Sequence, residues 1–72
     1  MLGINSLDAL GVALREKLPA QTHFHTINTR LILQTGVNLK KIRPEQNLDP
    51  VLIGKVLEAL SRMGVTVNKG AL

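Results

Sequence analysis

Two histidines, His23 and His25, are the residues of this sequence that most readily suggest metal chemistry. On a β-strand, side chains two positions apart lie on one face and can share an ion, whereas on a helix they diverge by more than half a turn. A zinc site usually takes four ligands, and the sequence has no third histidine and no cysteine. We therefore expect no metal site and no cofactor, and we interpret the pair as polar residues on a partly exposed element.

The serines and glycines do not form a recognisable catalytic pattern. Ser6 and Ser61 fit positions at the start and on the solvent side of predicted helices, and neither lies in a nucleophile elbow. The glycines of residues 64–70 have the wrong spacing for a phosphate-binding loop. Because 72 residues also enclose little space for a substrate, we expect no enzymatic activity and no small-molecule substrate.

Lys40, Lys41 and Arg43 form the one basic cluster in a chain of net charge +4. Such residues often contact nucleic-acid phosphates, which positions a protein without reading sequence, but they are also typical of a solvated loop. Phe24 is the sole aromatic residue, and single-strand binding needs rings on which bases stack. Duplex nucleic acid is therefore the anionic partner that we consider. The usual form of the helix-turn-helix is excluded, because Pro44 would break its recognition helix and the connector is too long. A looser three-helix reader of duplex remains an alternative.

The apolar residues, 44% of the chain, are almost all aliphatic. One predicted helix carries six of them on one face: Leu52, Ile53, Val56, Leu57, Leu60 and Met63. Small domains commonly use oligomers to complete their cores, so this face is either fully covered by the other helices or partly a contact surface. We name Leu52, Val56 and Met63 as candidate partner-surface residues, with a second copy of the chain or another protein as the partner.

Two helices have clear start and stop signals. The first is predicted over residues 6–18, with Asn5 or Ser6 as the cap, leucines at three- and four-residue steps, and Pro19 as its end. The other has Asp49 as its cap and Pro50 as its first helical residue, and it ends at Gly64. Glu58 and Arg62 are spaced for an ion pair.

The segment between these two helices is ambiguous. Residues 22–29 are rich in strand-favouring types, yet Phe24, Ile27 and Leu31 follow helical steps and Gly36 suits a helix end. We predict a helix that begins at residue 22 or 28 and ends at Thr35, followed by a connector over residues 38–48. In the alternative, residues 22–33 form a strand that pairs with residues 65–67.

The sequence thus predicts one all-α domain over residues 1–72, with three helices, a long connector between the second and third, and a short extended C-terminal tail. Residues 68–72 are expected to fray. No apolar run approaches the ~20 residues of a membrane span and no signal peptide is evident, so we expect a cytoplasmic protein with no membrane partner. The favoured function is a non-catalytic, self-associating interaction module with an accessory or regulatory role. The alternative is a small regulator that binds duplex nucleic acid.

Overall fold

A computed structural model describes residues 4–67 of the chain as four α-helices. They are α1 (Leu7–Lys17), α2 (Gln21–Thr35), α3 (Pro44–Asn47) and α4 (Pro50–Arg62). No strand is present between residues 4 and 67. The all-α prediction is therefore confirmed, and the alternative with a strand over residues 22–33 is wrong, because that segment lies in α2.

Helix α1 begins and ends where the sequence indicates. The Ser6 hydroxyl accepts a hydrogen bond from the Ala9 N–H over 3.1 Å, which satisfies one of the free donors of the first turn. The apolar side chains of α1 recur at helical steps, and Leu7, Leu10 and Leu14 are fully buried. At the other end, the Leu18 N–H donates to the Leu14 carbonyl, and Pro19 prevents continuation.

Helix α2 takes the longer of the two predicted forms and begins at Gln21, with Ala20 as its cap. Burial of Phe24, Ile27 and Leu31 along one face overrides the strand preference of the flanking residues. Several threonines are accommodated because their hydroxyls donate back to a carbonyl four residues earlier, as Thr26 does to Thr22. The helix ends at Gly36, whose φ of 77° is the left-handed conformation that glycine adopts readily.

The predicted connector contains a helix that the sequence analysis lacks, so the expected count of three helices is wrong. Helix α3 is a single turn, with Pro44 at its first position and Arg43 as its cap. Its last residue, Asn47, accepts a hydrogen bond from the Asp8 N–H through Oδ1 over 3.0 Å. This contact joins the short helix to the first turn of α1.

Helix α4 agrees with its predicted boundaries. Asp49 Oδ1 accepts from the N–H groups of Val51 and Leu52 over 3.0 and 3.2 Å, and Arg62 pairs with Glu58 over 3.1 Å. After Gly64, the Val65 N–H bonds back to the Leu60 carbonyl over 2.9 Å. Residues 65–67 are neither helix nor strand, so the strand pairing that the alternative gave them is wrong. The predicted fraying of residues 68–72 lies outside the described residues.

The core lies where α2 packs against α4, and α1 and residues 37–39 close it. Leu31, Val37, Val56 and Leu60 are fully buried together with the three leucines of α1. Leu57, expected on the core face of α4, is only partly buried at its edge. None of the helices described between residues 4 and 67 is long and apolar enough to cross a membrane.

Candidate anion-binding site

The basic cluster lies on a short, internally bonded piece of backbone, which we call the basic segment (residues 38–43). The Asn38 side-chain oxygen accepts from the Lys40 N–H over 2.9 Å, and the Asn38 carbonyl accepts from the Lys41 N–H over 3.1 Å. This pattern is an asparagine-stabilised turn. The side chains of Lys40 and Lys41 are exposed, so the turn presents two cations to solvent, and the exposed Arg43 follows two residues later.

A buried side chain from α2 holds this turn in place. Asn28 is only 2% exposed. Its oxygen accepts from the Leu39 N–H, and its amide nitrogen donates to Asn38 Oδ1, both over 2.9 Å. Since Leu39 is itself a core residue, the basic segment is anchored by packing and by two hydrogen bonds, and its backbone is fixed relative to α2.

The hydrophobic pattern does not single out Asn28, so the sequence does not predict that this residue anchors the basic segment. One signal was available, because Asn28 is spaced four residues after Phe24 and three before Leu31, on the face that becomes the core. A polar residue on such a face must find partners when it is buried. Which partners it finds depends on a loop that follows α2, and sequence spacing does not reveal that contact.

His23 and His25 do not act together. Both are exposed on α2, and Lys40 Nζ lies 2.9 Å from His25 Nδ1. An ammonium group only donates hydrogen bonds, so the ring nitrogen is the acceptor in this pair. Within residues 4–67, no three His, Cys, Asp or Glu residues are grouped so as to hold a metal ion. His25 therefore helps to position Lys40 over the first half of α2.

Arg15 and Lys40 line one concavity, although they lie far apart in the sequence. The Arg15 guanidinium carbon lies 4.7 Å from the centroid of the Phe24 ring, a cation–π distance. Beside it is a cleft of about 410 Å³, which we call the Arg15 cleft; it is lined by Arg15, Leu18, Pro19, Gln21, Phe24 and Lys40. The cleft combines an apolar floor with two cationic side chains.

The positive charge of this region is not offset by nearby acids. Among the eight lysines and arginines of residues 4–67, only Arg62 lies within 4 Å of a carboxylate oxygen belonging to that same part of the chain. Arg15, Lys40, Lys41 and Arg43 therefore lack an ion-pair partner among the described residues. An anionic partner would therefore bind these cations without first breaking an ion pair inside this part of the chain.

The predicted partner surface is only partly accessible. Val56 is fully buried in the core, so in this fold it has no surface to offer a partner, while Leu52 and Met63 are partly buried. The exposed apolar side chains near this helix are instead Leu48 and Val51, at 69% and 67% exposure. Leu48 borders a groove that Ile4, Ile53 and Leu57 also line.

No family model matches this chain, and neither a curated protein nor a solved structure matches it significantly. The arrangement of its side chains is therefore the basis for a functional proposal.

Proposed function

We propose that this chain is a non-catalytic binding module that contacts the phosphates of duplex nucleic acid through its basic segment. The observation that carries the proposal is the fixed turn at residues 38–41, which presents exposed cations without a carboxylate of residues 4–67 beside them. A fixed turn loses less conformational freedom on binding than a flexible loop does. Lys40 and Lys41 on this turn, with Arg43 two residues later, suit the closely spaced charges of a phosphate backbone.

We expect the chain to prefer duplex over single strands because its sole aromatic ring is buried. The sole aromatic residue of the chain, Phe24, is 5% exposed and its ring is approached by the Arg15 guanidinium. It therefore offers no open face on which a base could stack, and stacking contributes much of the affinity for single strands. The contacts that remain are with phosphates, so we expect affinity with little sequence preference.

Binding to a fluorescent duplex, followed by anisotropy over a range of salt concentrations, tests the proposal. Replacing Lys40 and Lys41 together with alanine should weaken binding for any sequence and reduce the slope of log K against log salt by about two. The matched control is the double variant Arg30→Ala, Lys55→Ala, which removes the same charge from exposed positions on α2 and α4. Equal losses in both variants, or no binding by the unmodified chain at low salt, would contradict the proposal.

Self-association is a second candidate, favoured by the exposure of Leu48 and Val51 at the start of α4. An apolar patch on one copy fits the same patch on another across a two-fold axis, so a second copy of the chain is the partner proposed here. Sedimentation across a hundredfold concentration range should then show a species heavier than the 7.8 kDa monomer. The variant Val51→Glu should restore the monomer, and a monomer throughout for the unmodified chain would rule the candidate out.

A further inference from the structure

We propose that the Arg15 cleft binds a small organic phosphate, namely a phosphate monoester with an apolar or aromatic body. Arg15 and Lys40 would hold the phosphate, and the floor of the cleft would receive the body. This site goes beyond the duplex contact proposed above, since its ligand is a small molecule and Arg15 lies outside the basic segment.

The Arg15 side chain lies back along α1, over the Phe24 ring. Its guanidinium packs near the Phe24 ring, and its terminal nitrogen lies 3.4 Å from the place that a Cβ at Gly11 would occupy. This distance is an ordinary van der Waals contact, so the arginine side chain folds back along α1 toward Gly11. A planar guanidinium presents paired donors, which suit the oxygens of a phosphate.

Lys40 reaches the same cleft from a different element. Its backbone belongs to the turn anchored by Asn28, and its ammonium lies 2.9 Å from His25 Nδ1. Both the start and the end of this side chain are therefore restrained. Because α1 supplies Arg15 and the basic segment supplies Lys40, the two side chains line one cleft only in the folded chain.

The charges and the shape of the cleft together indicate the class of ligand. Two cations without a carboxylate of residues 4–67 nearby match a phosphate monoester, which carries up to two negative charges, better than a single carboxylate. The exposed Pro19, with the small accessible parts of Leu18 and Phe24, forms an apolar floor, which inorganic phosphate would leave uncovered. The volume of about 410 Å³ is within the range of ~300–1,000 Å³ typical of small-molecule sites.

The start of α2 lies at the same rim. Gln21, its first residue, lines the cleft, and Ala20 has no side chain that could cap the helix. The positive end of the helix dipole therefore adds to the charge of Arg15 and Lys40. Gln21 also supplies an amide group that can bond to a polar substituent on the ligand.

Titration of the ¹⁵N-labelled chain with phenyl phosphate, followed by NMR, tests the site. We expect saturable shifts of the Gln21, Phe24 and Lys40 amides, with a Kd of roughly 1 mM or tighter. Arg15→Gln and Lys40→Gln should each weaken binding about tenfold or more, because each removes a charge-assisted contact. Lys55→Gln is the matched control and should leave the Kd unchanged, since Lys55 lies on α4 and does not line the cleft.

Inorganic phosphate and benzoate identify the parts of the ligand that matter. Both should bind more weakly than phenyl phosphate, the first because it lacks the apolar body and the second because it carries one charge. Shifts that stay linear to about 10 mM phenyl phosphate, or equal losses in Lys55→Gln, would overturn the site. Equal affinity for inorganic phosphate would overturn the role of the apolar floor.

Two further measurements separate loss of the cleft from disturbed packing and from loss of duplex binding. Lys40 is exposed, so Lys40→Gln tests the site even if Arg15→Gln disturbs packing against Phe24. Duplex binding is measured on the same samples. Loss of phenyl phosphate binding in Arg15→Gln with the duplex affinity kept would support a cleft that shares Lys40 with the duplex contact but uses Arg15 for itself. Duplex binding without any phenyl phosphate binding by the unmodified chain would refute the cleft alone.

Discussion

The side-chain nitrogen of Asn28 lies 2.9 Å from Oδ1 of Asn38, so a buried residue of α2 is bonded to the residue that shapes the basic segment. Asn38 Oδ1 also accepts from the Lys40 N–H. Asn38 Oδ1 therefore links the buried side chain of Asn28 to the backbone of Lys40, whose charged side chain is exposed. Stability and binding should consequently depend on the same pair of asparagines.

The variant Asn28→Ala tests this dependence. It removes both hydrogen bonds and leaves the buried Leu39 N–H without its partner, which should cost about 1–3 kcal/mol of unfolding free energy. The basic segment should also lose its fixed position, so duplex affinity should fall although no charge has changed. Urea denaturation measures the first effect and fluorescence anisotropy the second.

Thr29→Ala is the control for this variant. Thr29 is the next residue of α2, is exposed, and bonds only locally to the His25 carbonyl. It should change stability by no more than about 0.5 kcal/mol and leave binding unaffected. If Asn28→Ala were destabilised but bound duplex with unchanged affinity, the anchored turn would have no role in binding.

Two glycines should respond to alanine in opposite directions. Gly54 lies inside α4, and a Cβ built there would meet no heavy atom within 4 Å, so Gly54→Ala should stabilise the domain by about 0.5–1 kcal/mol. Gly36 has equally open surroundings but a φ of +77°, which alanine adopts only at a cost, so Gly36→Ala should be destabilising. Thermal unfolding of both variants measures the two effects. Destabilisation by Gly54→Ala would show that this position has a requirement that space around its Cβ does not explain.

The cap of α4 gives a third prediction. Asp49 accepts from two N–H groups of the first turn, so Asp49→Ala should lower the unfolding free energy by about 1 kcal/mol. Glu58→Ala removes the exposed pair with Arg62 and should cost less than about 0.5 kcal/mol, because such pairs contribute little in water. Urea denaturation of both variants at one pH compares them. A larger loss for Glu58→Ala would mean that the ion pair, rather than the cap, secures the helix.

The parts of this fold that sequence predicts are those governed by neighbouring residues. Caps such as Ser6 and Asp49 and stops such as Gly36 act within one turn of their own helix, so their chemistry can be seen in the sequence. The strand-prone residues around Phe24 illustrate the limit, because their propensity is overridden by burial against helices elsewhere in the chain. The length of α2 therefore follows from tertiary packing.

The candidate site is harder to predict because its members are distant in sequence. Lys40, Lys41 and Arg43 are visible as a cluster, but the contacts of Lys40 with His25 and of Asn28 with Leu39 cross from α2 to a loop. Arg15 joins the site only because α1 ends beside the start of α2. Helix α3 is not predicted for a related reason. A single turn is stabilised by contacts that are distant in sequence, such as that of Asn47 with the Asp8 N–H.

The final prediction compares two leucines of α4 that the sequence pattern does not distinguish. Leu57 and Leu60 both belong to its apolar face, but Leu60 is fully buried and Leu57 is partly exposed at the edge of the core. Leu60→Ala should therefore leave a cavity and lower the unfolding free energy by roughly 2–5 kcal/mol. Leu57 borders open grooves, so Leu57→Ala should lower it clearly less. Urea denaturation of the two variants measures the difference.

Because the deleted atoms are identical, equal losses of unfolding free energy would mean that Leu57 is covered in solution. Association of two copies through the groove beside Leu48 would then explain the burial. Repeating the Leu57→Ala measurement at several protein concentrations separates the two cases, since only burial between copies makes the loss depend on concentration.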